Sequence, residues 1–165
     1  MARRAGPSAR PRTPRRRKPS GRLGIRPYAP RDYARVRDLW RASGLFLGPS
    51  DRRSELDRSR RRDPDLFLVG ELDGALVGAV LGRFDGRRGW IHHLAVRGSM
   101  RRQGIGARLV AEVERRLARK GCAKVNLHVI RGNESVCRFY ETLGYGRRDL
   151  IFMDKWIRGG PRRKR

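Results

Sequence analysis

The sequence predicts an α/β fold, a single domain in which one mixed β-sheet is flanked by helices. The length of 165 residues suits one domain of ordinary size. Two strand-like runs, 66–72 and 75–83, are joined by Asp73-Gly74, a dipeptide typical of the type I′ turn of an antiparallel hairpin. The strand–helix–strand unit from Ile91 to Val129 instead requires parallel neighbours joined by a crossover. Because both kinds of pairing are predicted, the sheet is mixed.

The N-terminal part of the domain is predicted to contain one strand and one or two helices. Residues 23–28 are strand-like, and a helix begins at about Pro30. The polar segment from Ser50 to Arg62 is either a short helix, capped by Ser50 or Asp51, or a mobile loop. In the first helix the apolar residues recur at helical spacing and are expected to face a core: Tyr33, Val36, Leu39 and Trp40.

The C-terminal part is predicted to contain the crossover helix. Residues 90–96 form a third strand, and a long helix follows that ends at Gly121. Its apolar residues make one stripe: Ile105, Leu109, Val113 and Leu117, with Val110 beside them. A strand over 123–130, a short helix from Glu134 to Leu143 and a last strand from Tyr145 to Trp156 complete the predicted order.

The net charge of +26 is concentrated towards the two ends of the chain. Residues 1–22 contain nine Arg or Lys, residues 158–165 contain five, and neither segment contains an acid. Such segments bury too little apolar surface to fold, so both are expected to be disordered tails. Basic tails attract polyanions, which suggests non-specific contact with nucleic acid or a ribosome. A drift of composition towards Arg, or a start codon placed too early, would produce the same pattern.

Cysteine usage and hydropathy indicate a cytoplasmic protein. Cys122 and Cys137 do not form a C-x-x-C pair, and no secretory signal precedes them. No run approaches the ~20 apolar residues needed to span a bilayer, so no membrane partner is expected.

The strongest functional signal is a turn between a predicted strand and a predicted helix, Arg101-Arg102-Gln103-Gly104-Ile105-Gly106. Unpaired N–H groups point out of the first turn of a helix, and the helix dipole favours negative charge there. Gly104 and Gly106 carry no side chain to keep a phosphate from the backbone, and Arg108 adds positive charge. The turn is therefore predicted to bind a phosphate-bearing ligand.

Two common nucleotide motifs do not fit this turn. A Walker A loop requires Gly-Lys followed by Ser or Thr, which is absent. A dinucleotide fingerprint requires a third glycine, but position 109 is leucine, and residues 121–130 contain no acid to bind a ribose.

The turn and its surroundings resemble the GNAT superfamily of N-acetyltransferases. Arg101-x-x-Gly104-x-Gly106 matches the acetyl-CoA signature of that family, and Leu94-Ala95-Val96 precedes it at the usual distance. Two further motifs follow it, Gly132-Asn133-Glu134-Ser135 and Phe139-Tyr140-Glu141-x-x-Gly144-Tyr145. The resemblance covers residues 23–157. Within the family, the stretch from Gly89 to Tyr145 is most similar to the bacterial YpeA-type acetyltransferases, with the ribosomal-protein alanine acetyltransferases second.

The resemblance implies the GNAT fold, with acetyl-CoA as co-substrate and no metal. In this family two strands, here 90–96 and 124–130, splay apart, and the pantetheine arm lies in the gap. The residues implied to contact acetyl-CoA are Leu94, Ala95 and Val96 along the arm, Arg101, Arg102, Gln103, Gly104, Ile105, Gly106 and Ala107 around the pyrophosphate, and Asn133.

The resemblance also implies two catalytic residues. Tyr140 matches the tyrosine that usually protonates the departing thiolate, a role that suits a phenol; the alternative is a tyrosine that only packs on its helix. His128 stands where the alanine acetyltransferases often have a glutamate, and a histidine can accept the proton of an amine. Alternatively, His128 borders the gap while water or another acid takes the proton.

The sequence does not decide the roles of three other polar residues. His92 and His93 are neighbours on a strand, so they are expected on opposite faces and cannot readily share a metal. Glu71, just before the hairpin turn, is either a base or substrate contact in the cleft or a solvated hairpin residue.

The function implied by these features is transfer of acetyl from acetyl-CoA to a primary amine by direct attack. The alternative is an acetyl-CoA-binding module, held on nucleic acid or a ribosome by its tails and with little activity. The amine belongs to a peptide N-terminus, a lysine or a small molecule. The Arg-rich segment from Ser43 to Asp63 hints at an acidic or phosphate-bearing acceptor. The expected state is a monomer or a homodimer.

Overall fold

The computed structural model of the protein describes residues 21–157. The predicted basic tails therefore lie outside the described residues, except for Gly21 and Arg22, which are exposed. Within this range no helix is long and apolar enough to cross a bilayer.

Five strands of the described chain form one sheet in sequence order. They are β1 (Gly24–Pro27), β2 (Phe67–Leu72), β3 (Ala75–Phe84), β4 (Gly89–Val96) and β5 (Val125–Leu127). Strands β1 to β4 pair antiparallel with their neighbours, and β4 pairs parallel with β5. The α-helices are α1 (Tyr33–Ala42), α2 (Arg53–Arg62), α3 (Ile105–Arg119) and α4 (Glu134–Glu141). A mixed sheet with flanking helices confirms the predicted fold class.

The β2–β3 hairpin forms at the predicted turn. Leu72 pairs with Ala75, so that only Asp73 and Gly74 lie in the loop. Their φ angles are +49° and +76°, positive at both central positions as a type I′ turn requires.

Helix α3 packs against glycines of the sheet. Its apolar stripe is buried as predicted: Ile105, Leu109, Val110, Val113 and Leu117. Three glycines of β3 and β4, Gly78, Gly82 and Gly89, lie beneath this stripe. A Cβ on each would come within 2.8 Å of a side-chain atom of, in turn, Leu109, Val113 and Leu117. Real Cβ atoms do not approach so closely, so the bare glycines allow the helix to lie directly on the two strands.

Helices α1 and α2 cover the opposite face of the sheet. Trp40 of α1 and Leu56 of α2 are both 0% exposed. Phe67 of β2 stacks on Tyr28 and on Trp40, with ring centroids 4.2 and 5.8 Å apart. Of the two predictions for Ser50 to Arg62, the helix is therefore correct, because burial of Leu56 holds this polar segment on the core.

The start of α2 differs from the prediction. A 3-10 turn over Pro49–Asp51 precedes the helix, and the carboxylate of Asp51 accepts the N–H of Gly48 at 2.8 Å. The N-cap position of α2 is occupied by Arg52, without a side-chain cap hydrogen bond. Neither Ser50 nor Asp51 is the cap, because the preceding turn uses the Asp51 carboxylate and displaces the helix start by one residue.

The predicted last strand from Tyr145 to Trp156 is wrong for the described chain. Residues 145–157 form no ladder with the sheet, and their apolar side chains are exposed, such as Ile151 at 90%. Strand β5 is also shorter than the predicted 123–130. A strand requires a partner with backbone groups in register, and the three residues of β5 offer too short an edge.

An ion-pair network ties β1, β2 and the start of α1 together. Arg26 bonds Asp32 at 2.6 Å and Glu71 at 2.8 Å, and Arg35 bonds Asp32 at 2.5 Å. Burial opposes ionisation of Asp32, but hydrogen bonds from Arg26 and from the N–H of Ala29 outweigh it and hold its pKa well below the usual value. Glu71 is thus part of a structural ion-pair network at the hairpin.

Candidate active site

The predicted anion-binding turn connects β4 to α3. Gly98–Met100 form a 3-10 turn, and the chain then bends at Arg102 and Gly104, whose φ angles are +60° and +76°. Such angles are uncommon for a residue with a Cβ but cost glycine little. Residues 101–104 are all exposed, so the bend lies on the surface directly before α3.

The N-terminus of α3 presents backbone N–H groups without partners. Gly104 occupies the N-cap and has no side chain to bond them. The N–H of Arg108 donates to the carbonyl of Gly104 at 3.0 Å. Among residues 21–157, the N–H groups of Ile105, Gly106 and Ala107 have no acceptor. With the positive end of the helix dipole they form a site for an anion.

Three exposed arginines surround these N–H groups. Arg101 Nε donates to the carbonyl of Val96 at 3.3 Å, and Arg108 donates to the carbonyl of Leu23 at 3.2 Å. Neither arginine, nor Arg102, forms an ion pair within the described part of the chain. Their positive charge therefore remains available to a pyrophosphate, which the residues of the turn fit.

Gly106 also has a role in helix packing. A Cβ at this position would meet Phe139 Cζ of α4 at 3.3 Å and Val96 Cγ2 at 3.7 Å. A Cβ on Gly104 would meet nothing within 4 Å. Gly104 therefore clears the space before the N–H groups, whereas Gly106 lets α4 pack closely on α3.

A gap opens between β4 and β5 after three residue pairs. Pairing ends at Ile91 with Leu127, although β4 continues to Val96. The N–H of Arg97 donates to the carbonyl of Val77 on β3 at 2.8 Å. Because backbone polar groups alternate along a strand, those of Leu94 and Val96 face the other way, into the gap. An extended ligand can therefore bond to them as an added strand would.

A β-bulge in β4 lies beside this gap and corrects the prediction for the two histidines. Ala79 pairs with Ala95 and Leu81 with His92, so His93 and Leu94 together oppose Val80. His93 has a φ of +44°. Its ring contacts Trp40 of α1, with centroids 4.8 Å apart. His92 and His93 thus share the α1 side of the sheet, because the extra residue cancels the alternation.

Aromatic rings extend from β4 across the α1 side to the C-terminal segment. His92 lies 6.4 Å from Trp90, Trp90 lies 5.4 Å from His128, and His128 lies 4.6 Å from Phe152. Burial and then the charge of Arg83 lower the pKa of His92 to about 4, so this ring is neutral near pH 7. His128 itself is exposed, just past the end of β5.

Tyr140 lies on the other side of the sheet from His128. It is 8% exposed and belongs to the α3 core, where its ring lies 5.0 Å from Phe139 and 5.4 Å from Tyr145. Burial raises the pKa of its hydroxyl to about 12. Leu94 and Val96 pack against the same core. The structure therefore brings Tyr140 together with the gap-lining strand, but not with His128.

Asn133 occupies the N-cap position of α4. Its carbonyl accepts the N–H groups of Val136 and Cys137, both at 3.1 Å. Its side chain is exposed, and within residues 21–157 its Oδ1 accepts a single hydrogen bond, from Ser135 Oγ at 3.2 Å. The amide is therefore accessible to a ligand.

No sequence pattern predicts that Asp51 contacts the histidine in the bulge of β4. His93 Nε2 lies 2.8 Å from Asp51 Oδ1, across 42 residues of sequence. No local pattern relates the two positions, and the bulge that turns His93 towards Asp51 has no sequence signal. Among residues 21–157, no group of three His, Cys, Asp or Glu is arranged to hold a metal ion.

Substitution of Gly104 by alanine is expected to lower the affinity for acetyl-CoA about tenfold. The Cβ would enter the space before the N–H groups, and loss of one charge-assisted hydrogen bond costs ~1.5–3 kcal/mol. Gly121→Ala is the matched control, because Gly121 has a φ of +78° at the other end of α3 and equally open surroundings. Both variants should lose ~1 kcal/mol of folding free energy, but only Gly104→Ala should change the Kd measured by calorimetry. Equal affinities in the two variants would contradict this role.

Comparison with known proteins agrees with the geometry. The model of the acetyltransferase (GNAT) family matches residues 33–145. An acetyltransferase of Yersinia enterocolitica is 36% identical over 133 residues, which cover 81% of this chain and 94% of the relative. An acetyltransferase of Pectobacterium atrosepticum is 37% identical over 133 residues, with the same coverage of 81% and 94%.

Solved structures show the same fold. The PaiA N-acetyltransferase of Thermoplasma acidophilum, in complex with coenzyme A, aligns with a TM-score of 0.70 at 20% identity, over 79% of this chain and 93% of that one. A chain of the NatC complex bound to Gag peptide and CoA aligns with a TM-score of 0.66 at 20% identity, over 77% and 86%. The chain thus belongs to the GNAT family and is an acetyl-CoA-dependent N-acetyltransferase.

Proposed function

We propose that the domain over residues 23–157 transfers acetyl from acetyl-CoA directly to a primary amine, with both substrates bound at the open edge of β4. One observation supports this proposal most strongly: the gap beside Leu94 and Val96 leads to the unpartnered N–H groups of residues 105–107. A pantetheine arm has amides that pair with a strand edge, and its pyrophosphate matches a helix N-terminus.

The contacts proposed for acetyl-CoA divide into three groups. The backbone of Leu94 and Val96 bonds the arm, with Ala95 between them. The pyrophosphate lies against the turn, and the exposed amide of Asn133 at the start of α4 reaches the ligand from the far side of the gap. In this turn the arginines supply positive charge and the backbone N–H groups supply hydrogen bonds. Its residues are Arg101, Arg102, Gln103, Gly104, Ile105, Gly106 and Ala107.

Tyr140 is proposed as the acid of the reaction. The acceptor ammonium loses one proton, and its nitrogen then forms the C–N bond to the acetyl carbon. The C–S bond breaks, and the thiolate takes the proton of the Tyr140 hydroxyl. The second proton of the nitrogen returns to Tyr140 through solvent, so the tyrosine is regenerated. For the first proton, the resemblance to the family implies His128 as the acceptor, and this assignment stays a prediction.

The Tyr140→Phe variant is expected to reduce kcat about 100-fold, the usual contribution of a general acid, with the KM for acetyl-CoA unchanged. Since the pKa of Tyr140 is raised to about 12, its proton is present at all lower pH values. Wild-type activity should therefore show no alkaline decline from this group below pH ~11. Release of coenzyme A thiol measures both effects.

Tyr28→Phe is the matched control for Tyr140→Phe. Tyr28 is equally buried, and its hydroxyl has no partner among the described residues. It stacks on Phe67 at the far edge of the sheet. A Tyr140→Phe enzyme with the kcat of Tyr28→Phe would exclude the acid role.

Arg83 on β3 supports an acceptor that carries a carboxylate or phosphate near its amine. It pairs with Trp90 across the β3–β4 ladder, on the side of the rings described above. It is partly buried and forms no ion pair among residues 21–157. Burial and then the charge of Arg62 lower its pKa. A partly buried guanidinium with unused donors favours an anionic partner. A peptide N-terminus, a lysine or a small molecule can each supply such an amine.

The Arg83→Met variant should lower kcat/KM for acidic amine acceptors about tenfold, since a hydrogen bond between charged groups contributes ~1.5–3 kcal/mol. The KM for acetyl-CoA and the rates with neutral amines should not change. Arg87→Met, an exposed arginine of the same β3–β4 turn, is the control. A panel of acidic, neutral and basic amines, assayed by coenzyme A release, measures the selectivity. A uniform loss across the panel would contradict a role in acceptor choice.

The basic tails are proposed to hold the enzyme, a monomer or homodimer in the cytoplasm, on a polyanion such as nucleic acid or a ribosome. Residues 1–22 and 158–165 contain nine and five basic residues and no acid. Their removal should weaken RNA binding and flatten its dependence on salt, since fewer counterions are released. Filter binding at several salt concentrations measures this effect. The same slope with and without the tails would disprove it.

A further inference from the structure

The Asp51–His93 pair is a side-chain cluster to which neither the sequence nor the comparisons assign a role. Asp51 ends the 3-10 turn between α1 and α2 and is 7% exposed. Its carboxylate accepts the N–H of Gly48 at 2.8 Å and lies 2.8 Å from His93 Nε2. A buried acid with two short hydrogen bonds holds the imidazole in one orientation.

His93 reaches Asp51 only because of the bulge in β4. Its φ of +44° breaks the alternation of side chains along the strand. Its ring meets that of Trp40 edge-on, with ring centroids 4.8 Å apart. A positive φ of this kind is unfavourable for a residue with a Cβ and occurs most often near functional sites. The side chain is still 25% exposed. The ring is therefore held by Asp51 and Trp40 and is still partly exposed.

The pair determines which ring nitrogen of His93 can accept a proton. Burial opposes ionisation of Asp51, but hydrogen bonds from His93 and from the N–H of Gly48 outweigh it and lower its pKa. An ionised carboxylate only accepts hydrogen bonds, so Nε2 carries the hydrogen of the neutral ring. The lone pair is then on Nδ1, which has no partner within residues 21–157.

The position of His93 relative to acetyl-CoA follows from the direction of the bound arm. The pyrophosphate turn comes after the end of β4, so the arm runs backwards along the open edge from Val96 towards Leu94. The thioester, at the far end of the arm, then arrives at the bulge. His93 is the residue next to Leu94 and lies on the acceptor side of the sheet.

We propose that His93, oriented by Asp51, is the group that takes the proton from the acceptor amine. This inference rests on the proposed function of the same site. The ammonium N–H bond breaks, its proton moves to His93 Nδ1, and the freed nitrogen lone pair attacks the acetyl carbon. The imidazolium is stabilised by the Asp51 carboxylate and later returns the proton to solvent. Asp51 is a positioning residue, since it acts through His93.

His128, the base that the sequence predicts, is less well prepared for this step. Its ring contacts Trp90 and Phe152, and no hydrogen bond orients it within the described residues. His128 is exposed, whereas His93 has a buried carboxylate partner. General base catalysis depends on a positioned lone pair, which favours His93.

The charged groups around His93 come from three elements besides its own. Asp51 bonds it from the 3-10 turn, and Arg37 of α1 acts on Asp51 through its charge. Arg83 of β3 acts on the neighbouring His92, which is neutral near pH 7. Of these three groups, Asp51 alone lies within hydrogen-bond distance of His93.

The decisive test uses two substitutions of His93 that tolerate its backbone angle. Glycine and asparagine adopt positive φ more readily than most residues, so His93→Gly and His93→Asn should fold. Both should lower kcat/KM for the amine by about 100-fold to 1,000-fold, with the Kd for acetyl-CoA within twofold of wild type. Added imidazole should restore turnover to His93→Gly, since it can fill the vacated space beside Asp51.

Asp51→Asn provides an independent test that leaves the histidine in place. An amide can donate to Nε2, which would put the hydrogen on Nδ1 and remove the lone pair needed for catalysis. We expect at least a tenfold fall in kcat. Glu112→Gln is the control for loss of a carboxylate. In the described part of the chain, Glu112 pairs only with Arg115 and Arg116 on the outer face of α3.

Several outcomes would overturn the proposal. These are wild-type kcat in the His93 or Asp51 variants, or a His128→Gln variant that alone loses turnover. If the His93 variants do not fold, Asp51→Asn decides the matter by its kcat. Failure of the proposed function looks different: the wild-type protein would bind acetyl-CoA yet release no coenzyme A with any amine, which would overturn both proposals.

Discussion

The close packing of α3 on Gly78, Gly82 and Gly89 is the constraint on which the rest of the site depends. The helix lies directly on β3 and β4, so its N-terminus begins where β4 ends. The same helix is the crossover that returns the chain to β5, parallel to β4. The unpartnered N–H groups of residues 105–107 and the open edge of β4 are therefore neighbouring parts of one surface. Larger residues at the three glycines would lift the helix and separate these parts.

The bulge in β4 is the second constraint, because it decides which side chains meet the gap. A regular strand would direct His92 and His93 to opposite faces. The extra residue opposite Val80 keeps both on the α1 side, while Leu94 still contributes to the α3 core. The bulge thus separates two roles within adjacent residues. Backbone groups of Leu94 and Val96 face the gap proposed to hold the arm of the cofactor, and the His93 side chain lies on the α1 side, where the acceptor is proposed to bind.

Much of the fold could be predicted, because its residues carry a local signal. The stripe of α3 repeats at helical period, and Asp73-Gly74 supplies the positive φ angles of the hairpin turn. The wrong predictions have one cause: each of these features depends on a partner that is distant in sequence. The segment from Tyr145 to Trp156 is predicted as a strand, but the short β5 gives it no edge. Ser50 or Asp51 is predicted to cap α2, but Gly48 and His93 bond the Asp51 carboxylate, and Arg52 occupies the cap position.

By itself, the sequence determined the part of the protein that is proposed to bind the acetyl donor. The turn from Arg101 to Gly106 specifies an anion site through bare backbone and helix polarity, and these depend only on neighbouring residues. The side proposed for the acceptor was decided by tertiary structure alone. Asp51, Arg83 and His93 belong to different elements, and a bulge without any sequence signature turns His93 towards the acid. Contacts of this kind arise from the register of strands and the packing of helices, which no short stretch of sequence encodes.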